Sequence, residues 1–176
     1  MNILILILIA LFSIIALLFI IALFMRKDYN IHRDIIINAP QQKVYDYLKQ
    51  LKNQDNFNKW VMVDPTMKRD FKGTDGTVGF IYGWNGNKKA GEGEQEIKAL
   101  EEGKRIETEI RFIRPFAGVS YANTVITGIS ADQTKVTWSN KSVMNYPMNL
   151  LLSMIEKMLA KDMDISLLNL KKILEK

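Results

Sequence analysis

Three polar side chains break an apolar helical face near the C-terminus: Asp162, Ser166 and Asn169, spaced i, i+4 and i+7. On a helix that spacing stacks them on one side. A carboxylate on an inward face is costly unless it is paired or hydrogen-bonded, and desolvation raises its pKa. Two roles fit such a group. Asp162 ties its helix to donors on a neighbouring strand or loop, or it forms the polar end of an apolar pocket and orients a ligand there. A second acidic set, Glu92, Glu94 and Glu96, alternates with Ile97 and Ala99 on the opposite face. With Ile97 inward the glutamates face water, which reads as a solvated ladder pairing with Arg105 or Arg111 rather than as an acidic site.

The remaining inventory narrows the chemistry. The chain has no cysteine and one histidine, His32, seven residues beyond Met25. A thiol nucleophile and a thiolate metal site are thereby excluded, and any Ser-His-Asp arrangement would have to use His32. Gly91-Glu92-Gly93-Glu94 has the glycines of a phosphate loop, but no helix follows it, so it is a strand feature. No catalytic residue, metal site or cofactor is assigned. Trp60, Phe80, Tyr82, Trp84, Phe112, Tyr121 and Trp138 either line a ligand cavity or fill the core. Met158 is one of four methionines on the C-terminal helix, and methionine suits a wall that adapts to varied apolar shapes. These eight residues and Asp162 form the candidate ligand-binding set.

What must position them is a sheet and one long helix. Pro147 opens the last stretch, and neither Pro nor Gly follows it to Lys176. At ~100° per residue, Met148, Leu151, Leu152, Ile155, Met158, Leu159, Met163, Leu170 and Ile173 share one arc. Upstream, Ile31 to Asn38 reads as a first strand and Pro40 opens a helix carrying Val44, Tyr47, Leu48 and Leu51. A second helical piece is predicted around Asp55 to Trp60, ended by Asp64-Pro65. From Lys68 the period becomes two. Val78, Phe80, Tyr82 and Trp84 share a face, and Asn85-Gly86 follows as a tight-hairpin signal. Gly91–Leu100, Arg105–Phe112, Tyr121–Ile129 and Lys135–Lys141 complete an antiparallel run. The expected fold is α+β: a curved antiparallel sheet of about seven strands gripping a long C-terminal helix, with two short helices after the first strand.

Ile3 to Met25 is a stretch of 23 residues without a charge, about 34 Å as a helix and enough to cross a bilayer core of ~30 Å. A cleavable signal peptide fits less well, because no Lys or Arg precedes the run and no Ala-x-Ala site follows it. The chain therefore divides into a transmembrane anchor (1–25), a short connector (26–30) and one domain (31–176). Arg26, Lys27 and Arg33 follow the anchor, which places the domain in the cytoplasm of a single-pass membrane protein. The formal net charge of +5 is scattered among acids rather than gathered in runs, so no nucleic-acid partner is expected.

Several stretches carry a resemblance: Ile37-Asn38-Ala39-Pro40, Asp64 to Arg69, Gly76-Thr77-Val78-Gly79, Trp84-Asn85-Gly86-Asn87, Gly91 to Glu94, Thr134 to Trp138 and Leu167 to Lys172. In their order and spacing they resemble the START-like or SRPBCC superfamily, the helix-grip fold, and its polyketide cyclase/dehydrase and lipid-transport branch. The resemblance spans residues 31–176 and implies a hydrophobic cavity between sheet and long helix. It implies no single reaction. Three functions stay open on these grounds. One is a membrane-anchored module binding a hydrophobic small molecule or lipid; another is a cyclase- or dehydratase-type enzyme using a pocket carboxylate. The third is a sensing or interaction domain with an incidental cavity.

Overall fold

The computed structural model of the protein describes residues 2–176. Helix α1 (Ile3–Phe24) is apolar all round and exposed along its length except at the buried Ala22 and the half-buried Ala16. It is long and apolar enough to cross a membrane. Strand β1 (Asp28–Ile37) begins three residues after it, so most of the predicted connector is already strand. Then follow α2 (Gln41–Lys49), a 3-10 turn (Leu51–Asn56) and the single-turn helix α3 (Lys59–Met62). Six strands come next: β2 (Lys68–Lys72), β3 (Ile81–Asn85), β4 (Glu92–Glu101), β5 (Arg105–Arg114), β6 (Gly118–Ser130) and β7 (Gln133–Val143). A 3-10 turn (Met148–Leu151) leads into α4 (Leu152–Leu174).

All seven strands form one antiparallel sheet in the order β1-β7-β6-β5-β4-β3-β2. Register breaks at Ile97/Ala99 in β4 and Gly128/Ser130 in β6 bend the strands, so the sheet curls around its inner face. Cross-strand partners carry that face across the sheet: Ile35 opposite Val136, Val136 opposite Ile126, Thr124 opposite Ile106, and Ile110 opposite Gln95. Helix α4 packs most extensively on β1 at the sheet edge, through Ala160 and Met163 against Ile31. The space over the middle strands is left to α2, the 3-10 turn and α3. Leu167, Leu170 and Leu174 close the lower core with Ile37, Val44, Phe57, Ile106, Ile126 and Val136. Truncating such a leucine to alanine costs about 2–5 kcal/mol.

Five local expectations are corrected. The long helix starts at Leu152 rather than Pro147. Its buried stripe runs through Leu152, Ala160, Met163, Ser166, Leu167, Leu170 and Leu174, leaving Leu151 and Met158 exposed. Ala160, a residue too small to mark a stripe by hydropathy, is where β1 approaches closely. The second helical piece is a 3-10 turn and a separate α3, divided at Phe57 and Asn58. Asn85-Gly86 does not make a two-residue turn. Asn85 pairs with Glu92, and the loop between them closes through Gly86 N–H donating to Gly91 O (2.8 Å), while the Asp64 carboxylate accepts from Asn87 N–H (2.7 Å). Val78 lies ahead of β3 and is exposed, whereas Phe80 and Tyr82 face inward as predicted.

Candidate functional site

Between the sheet, α4 and the 3-10/α3 segment lies a cavity of about 80 Å³. Strands contribute Ile106, Thr108 and Ile110 from β5, Ala122 and Thr124 from β6, and Val136 and Trp138 from β7. Leu167 and Leu170 of α4 form the helical wall, and Leu48, Leu51, Gln54, Phe57, Asn58 and Trp60 close the side away from the sheet. Polar groups are few and neutral. Gln95 Nε2 donates to Thr108 Oγ1 at 2.9 Å, and Asn58 Nδ2 donates to Gln54 Oε1 at 3.4 Å with both residues buried. The lining holds no carboxylate, histidine, lysine or tyrosine. Such a surface solvates an uncharged, mostly apolar molecule and offers one or two hydrogen bonds to place it.

The polar stripe of α4 is what holds the outer wall shut. Asp162 Oδ2 accepts from Trp60 Nε1 at 3.1 Å. Ser166 Oγ accepts from Lys59 N–H (2.9 Å) at the start of α3 and donates to Asp162 O (2.8 Å) one turn back. Asn169 Nδ2 donates to Phe57 O at 3.2 Å. One helical face thus satisfies three donors and acceptors of the segment from Phe57 to Trp60, two of them backbone groups that would otherwise lack partners. Trp60, fixed by Asp162, meets Trp138 edge to face, with ring centroids 5.6 Å apart. Of the two roles open to Asp162, the tie to a neighbouring segment is the one its geometry serves.

The same outer wall is fastened to the far sheet edge. Tyr82 OH donates to Asp55 Oδ1 (2.5 Å), Arg69 Nε donates to Tyr82 OH (3.0 Å), and Arg69 pairs with Asp55 Oδ2 (2.8 Å). Burial, reinforced by the Asp55 carboxylate, pushes the Tyr82 phenol well above its ordinary range, so it acts here as a hydrogen-bond donor. On the convex face Arg111 collects Glu94 (2.7 Å), Glu96 (2.8 Å) and Glu109 (2.5 Å), and Arg114 takes Glu92 (2.7 Å). This is the ladder predicted for Arg111; Arg105 pairs instead with Glu101 and Glu107. Its hydrogen bond to Arg111 holds the Glu96 carboxyl below the usual range. Among the described residues no cluster of three or more His, Asp or Glu is placed to hold a metal ion.

Of the nine candidate residues, Trp60 and Trp138 line the cavity and Asp162 stands behind Trp60. Phe80 and Tyr82 belong to a neighbouring cluster with Leu51 and Ile97, against which Trp84 packs. Phe112 lies one step past the cavity, edge-on to Trp84 at 6.0 Å and 38% exposed. Two assignments are corrected by direction. Tyr121 pairs with Glu109 and Lys141 on the convex face, one residue out of phase with Ala122, and Met158 points to solvent because Ala160 and Met163 take the inner face. The neutral polar residues Gln54, Asn58, Gln95, Thr108 and Thr124 escaped sequence reasoning. Gln95 and Thr108 were legible by alternation, since each shares a face with an inward isoleucine; Gln54 and Asn58 sit in irregular chain with no period to read.

An antiparallel sheet wrapped on a C-terminal helix, enclosing an apolar cavity, defines a helix-grip ligand-binding domain. The family model described as polyketide cyclase / dehydrase and lipid transport matches residues 29–175. The chain belongs to that family, within the START-like (SRPBCC) superfamily. Solved structures agree on the fold. Norcoclaurine synthase from Thalictrum flavum, in complex with dopamine and hydroxybenzaldehyde, superposes with a TM-score of 0.63 at 13% identity, covering 89% of this chain and 92% of its own. The Aha1 dimer from Colwellia psychrerythraea gives 0.59 at 19% identity, covering 84% and 96%. A protein of Chromobacterium violaceum gives 0.58 at 14% identity, covering 85% and 98%. No curated protein matches the chain.

Proposed function

We propose that the protein is a membrane-anchored binding module for an uncharged, largely apolar small molecule or lipid, held between the sheet and α4. The observation that carries this reading is the cavity lining: mostly aliphatic and aromatic side chains, with only neutral polar groups among them, the Gln95–Thr108 and Gln54–Asn58 pairs, Gln50 and Thr124. An acid–base mechanism needs a titratable group within reach of the substrate, and the lining supplies none. Binding is therefore favoured over cyclase-type chemistry. The anchor is α1, and the basic residues Arg26, Lys27 and Arg33 that follow it favour a cytoplasmic domain.

At about 80 Å³ the cavity is far smaller than the ~300–1,000 Å³ of a site for a drug-sized ligand. It admits a short apolar group as it stands. A longer molecule enters when the 3-10/α3 wall parts from α4, which breaks the bonds from Asp162, Ser166 and Asn169 but leaves the sheet intact. Native mass spectrometry of the full chain, released from detergent micelles, tests the reading. An apolar molecule is expected to accompany the protein, and to be lost from Ala122→Leu, whose larger side chain fills the cavity. An empty wild-type protein that also takes up no added fatty alcohol would sink the proposal.

A further inference from the structure

The register of the sheet gathers one set of turns around the exit of α1. Asp28 at the start of β1 pairs with Val143 at the end of β7, Ser142 with Ser120 near the start of β6, Gly118 with Phe112 near the end of β5, and Glu92 of β4 with Asn85 of β3. The β7–α4 connection, the β5–β6 turn and the β3–β4 loop therefore all hang from the sheet end nearest the anchor. Three residues, Met25 to Lys27, separate α1 from β1. The β5–β6 turn lies three strands from β1, about 14 Å across the sheet.

This end does not merely lie near α1; it is packed on it. Asn149 is fully buried, and its Nδ2 donates to Ala22 O (2.7 Å) and Met25 O (3.3 Å). Tyr146 rests on Phe19, ring centroids 6.1 Å apart. Phe19 stands five residues before the end of α1, about 7.5 Å along its axis. If α1 spans a bilayer, Tyr146 shares its outer depth. Beside it on the same end, large apolar side chains face outward: Phe116 at the tip of the β5–β6 turn (67% exposed), and Leu151 and Met154 at the head of α4 (41% and 62%). Lys88 and Lys89 stand exposed in the β3–β4 loop. At the opposite end of the sheet the β4–β5 turn is Glu101-Glu102-Gly103-Lys104 and the β6–β7 turn contains Asp132.

We propose that this rim is a second membrane contact: Phe116, Leu151, Met154 and Tyr146 sit in the headgroup–acyl boundary of the leaflet that α1 leaves, with Lys88 and Lys89 over anionic headgroups. The proposal rests on α1 crossing the bilayer and adds a fixed posture to it. The domain stands with its rim immersed and its Glu101–Lys104 turn in water. The β5–β6 hairpin that presents Phe116 is the one that walls the cavity through Thr108, Ile110 and Ala122. The cavity's wall is thereby continuous with lipid.

The absence of native cysteine makes the test direct. Single-cysteine variants of the full chain, Leu11→Cys, Phe116→Cys, Met154→Cys and Glu102→Cys, are labelled with an environment-sensitive fluorophore. They are then reconstituted into phosphatidylcholine/phosphatidylglycerol nanodiscs carrying a nitroxide on the shallow acyl chain or at mid-chain. The mid-chain quencher at Leu11 reports whether α1 spans. The proposal expects labels at Phe116 and Met154 to lose most of their emission to the shallow quencher, with the Glu102 label unaffected. Quenching at Leu11 without quenching at Phe116 overturns the rim while leaving the anchor standing. No quenching at Leu11 overturns both, and quenching at Glu102 equal to that at Phe116 shows a domain lying on the membrane without a preferred end.

Discussion

Asp162 is half-buried, and its charge is used on one indole N–H. Replacing it with leucine leaves Trp60 Nε1 without an acceptor beside an apolar wall, a loss of about 1–3 kcal/mol. Asp162→Asn keeps an acceptor oxygen in place and should cost well under half of that. Thermal melts of the full chain in mild detergent measure both; a melting point unchanged by Asp162→Leu, together with lost ligand uptake, would return the residue to the binding site itself. Acid sensitivity is also a residue-scale property. Hydrogen bonds from Arg111 and Lys98 hold Glu96 below its ordinary pKa, and Asn87 N–H and the Thr66 hydroxyl do the same for Asp64. A carboxyl whose folded pKa is depressed contributes its full stability above the unfolded value, about 4, and loses it as pH falls through the folded value. The denaturation midpoint should therefore drop as pH falls below about 4. The double variant Glu96→Gln, Asp64→Asn should show a flatter acid limb, and parallel limbs would count against the assignment.

At the scale of elements, the wall between Leu51 and Met62 is a short irregular segment clamped from two sides. The α4 clamp is three hydrogen bonds and the sheet clamp is the Asp55–Arg69–Tyr82 cluster. Removing Ser166 Oγ takes away the partner of Lys59 N–H, the equivalent of losing a helix cap, which costs about 1 kcal/mol. Hydrogen exchange of the amides from Phe57 to Met62 should quicken several-fold in Ser166→Ala, while β5–β7 amides stay protected. Uniform acceleration across the sheet would mean that the wall does not open as a unit. Glycine has a definite task at one point of the same sheet. A side chain at Gly93 would place Cβ 2.5 Å from the Arg111 carbonyl oxygen of the paired strand and 2.6 Å from the Trp84 ring, so Gly93→Ala should cost about 1–3 kcal/mol as the β4–β5 pairing is strained and Trp84 is driven from its edge contact with Phe112. Near-ultraviolet circular dichroism of the tryptophans reports that displacement.

For the whole molecule, the joint between α1 and the domain fixes how the two sit against each other. Carbonyls at the end of α1 would be left without partners in the helix, and Asn149 Nδ2 meets two of them at 2.7 and 3.3 Å. An ion pair between Arg26 and Glu156 adds a second fastening. Asn149→Ala should leave the sheet and its melting point little changed but free the Met25–Lys27 link. Trypsin should then cut after Arg26 or Lys27 several-fold faster in nanodiscs. An unchanged cleavage rate would show that the Arg26–Glu156 ion pair and the Met144 N–H on Lys27 O hold the link without this side chain.

The layout of this molecule follows from periodicities that any partner would have to respect. An apolar run of bilayer length, a period-two stretch from Lys68 onward and a 3.6-period helix at the end admit few arrangements, and the helix-grip fold is the one that buries both faces at once. The Arg111 ladder was legible for the same reason, because alternation sets which side chains are neighbours. The phase of contact was not legible. Which side of α4 meets β1 depends on Ala160, whose smallness permits close approach but carries little hydropathy signal, and that phase turns Met158 outward. Nor could sequence pair Asp162, Ser166 and Asn169 with Trp60, Lys59 and Phe57. Those bonds join residues more than a hundred positions apart, across a segment without regular structure. The cavity is what remains between elements packed through other contacts, so its size and neutral lining exist only in the assembled fold.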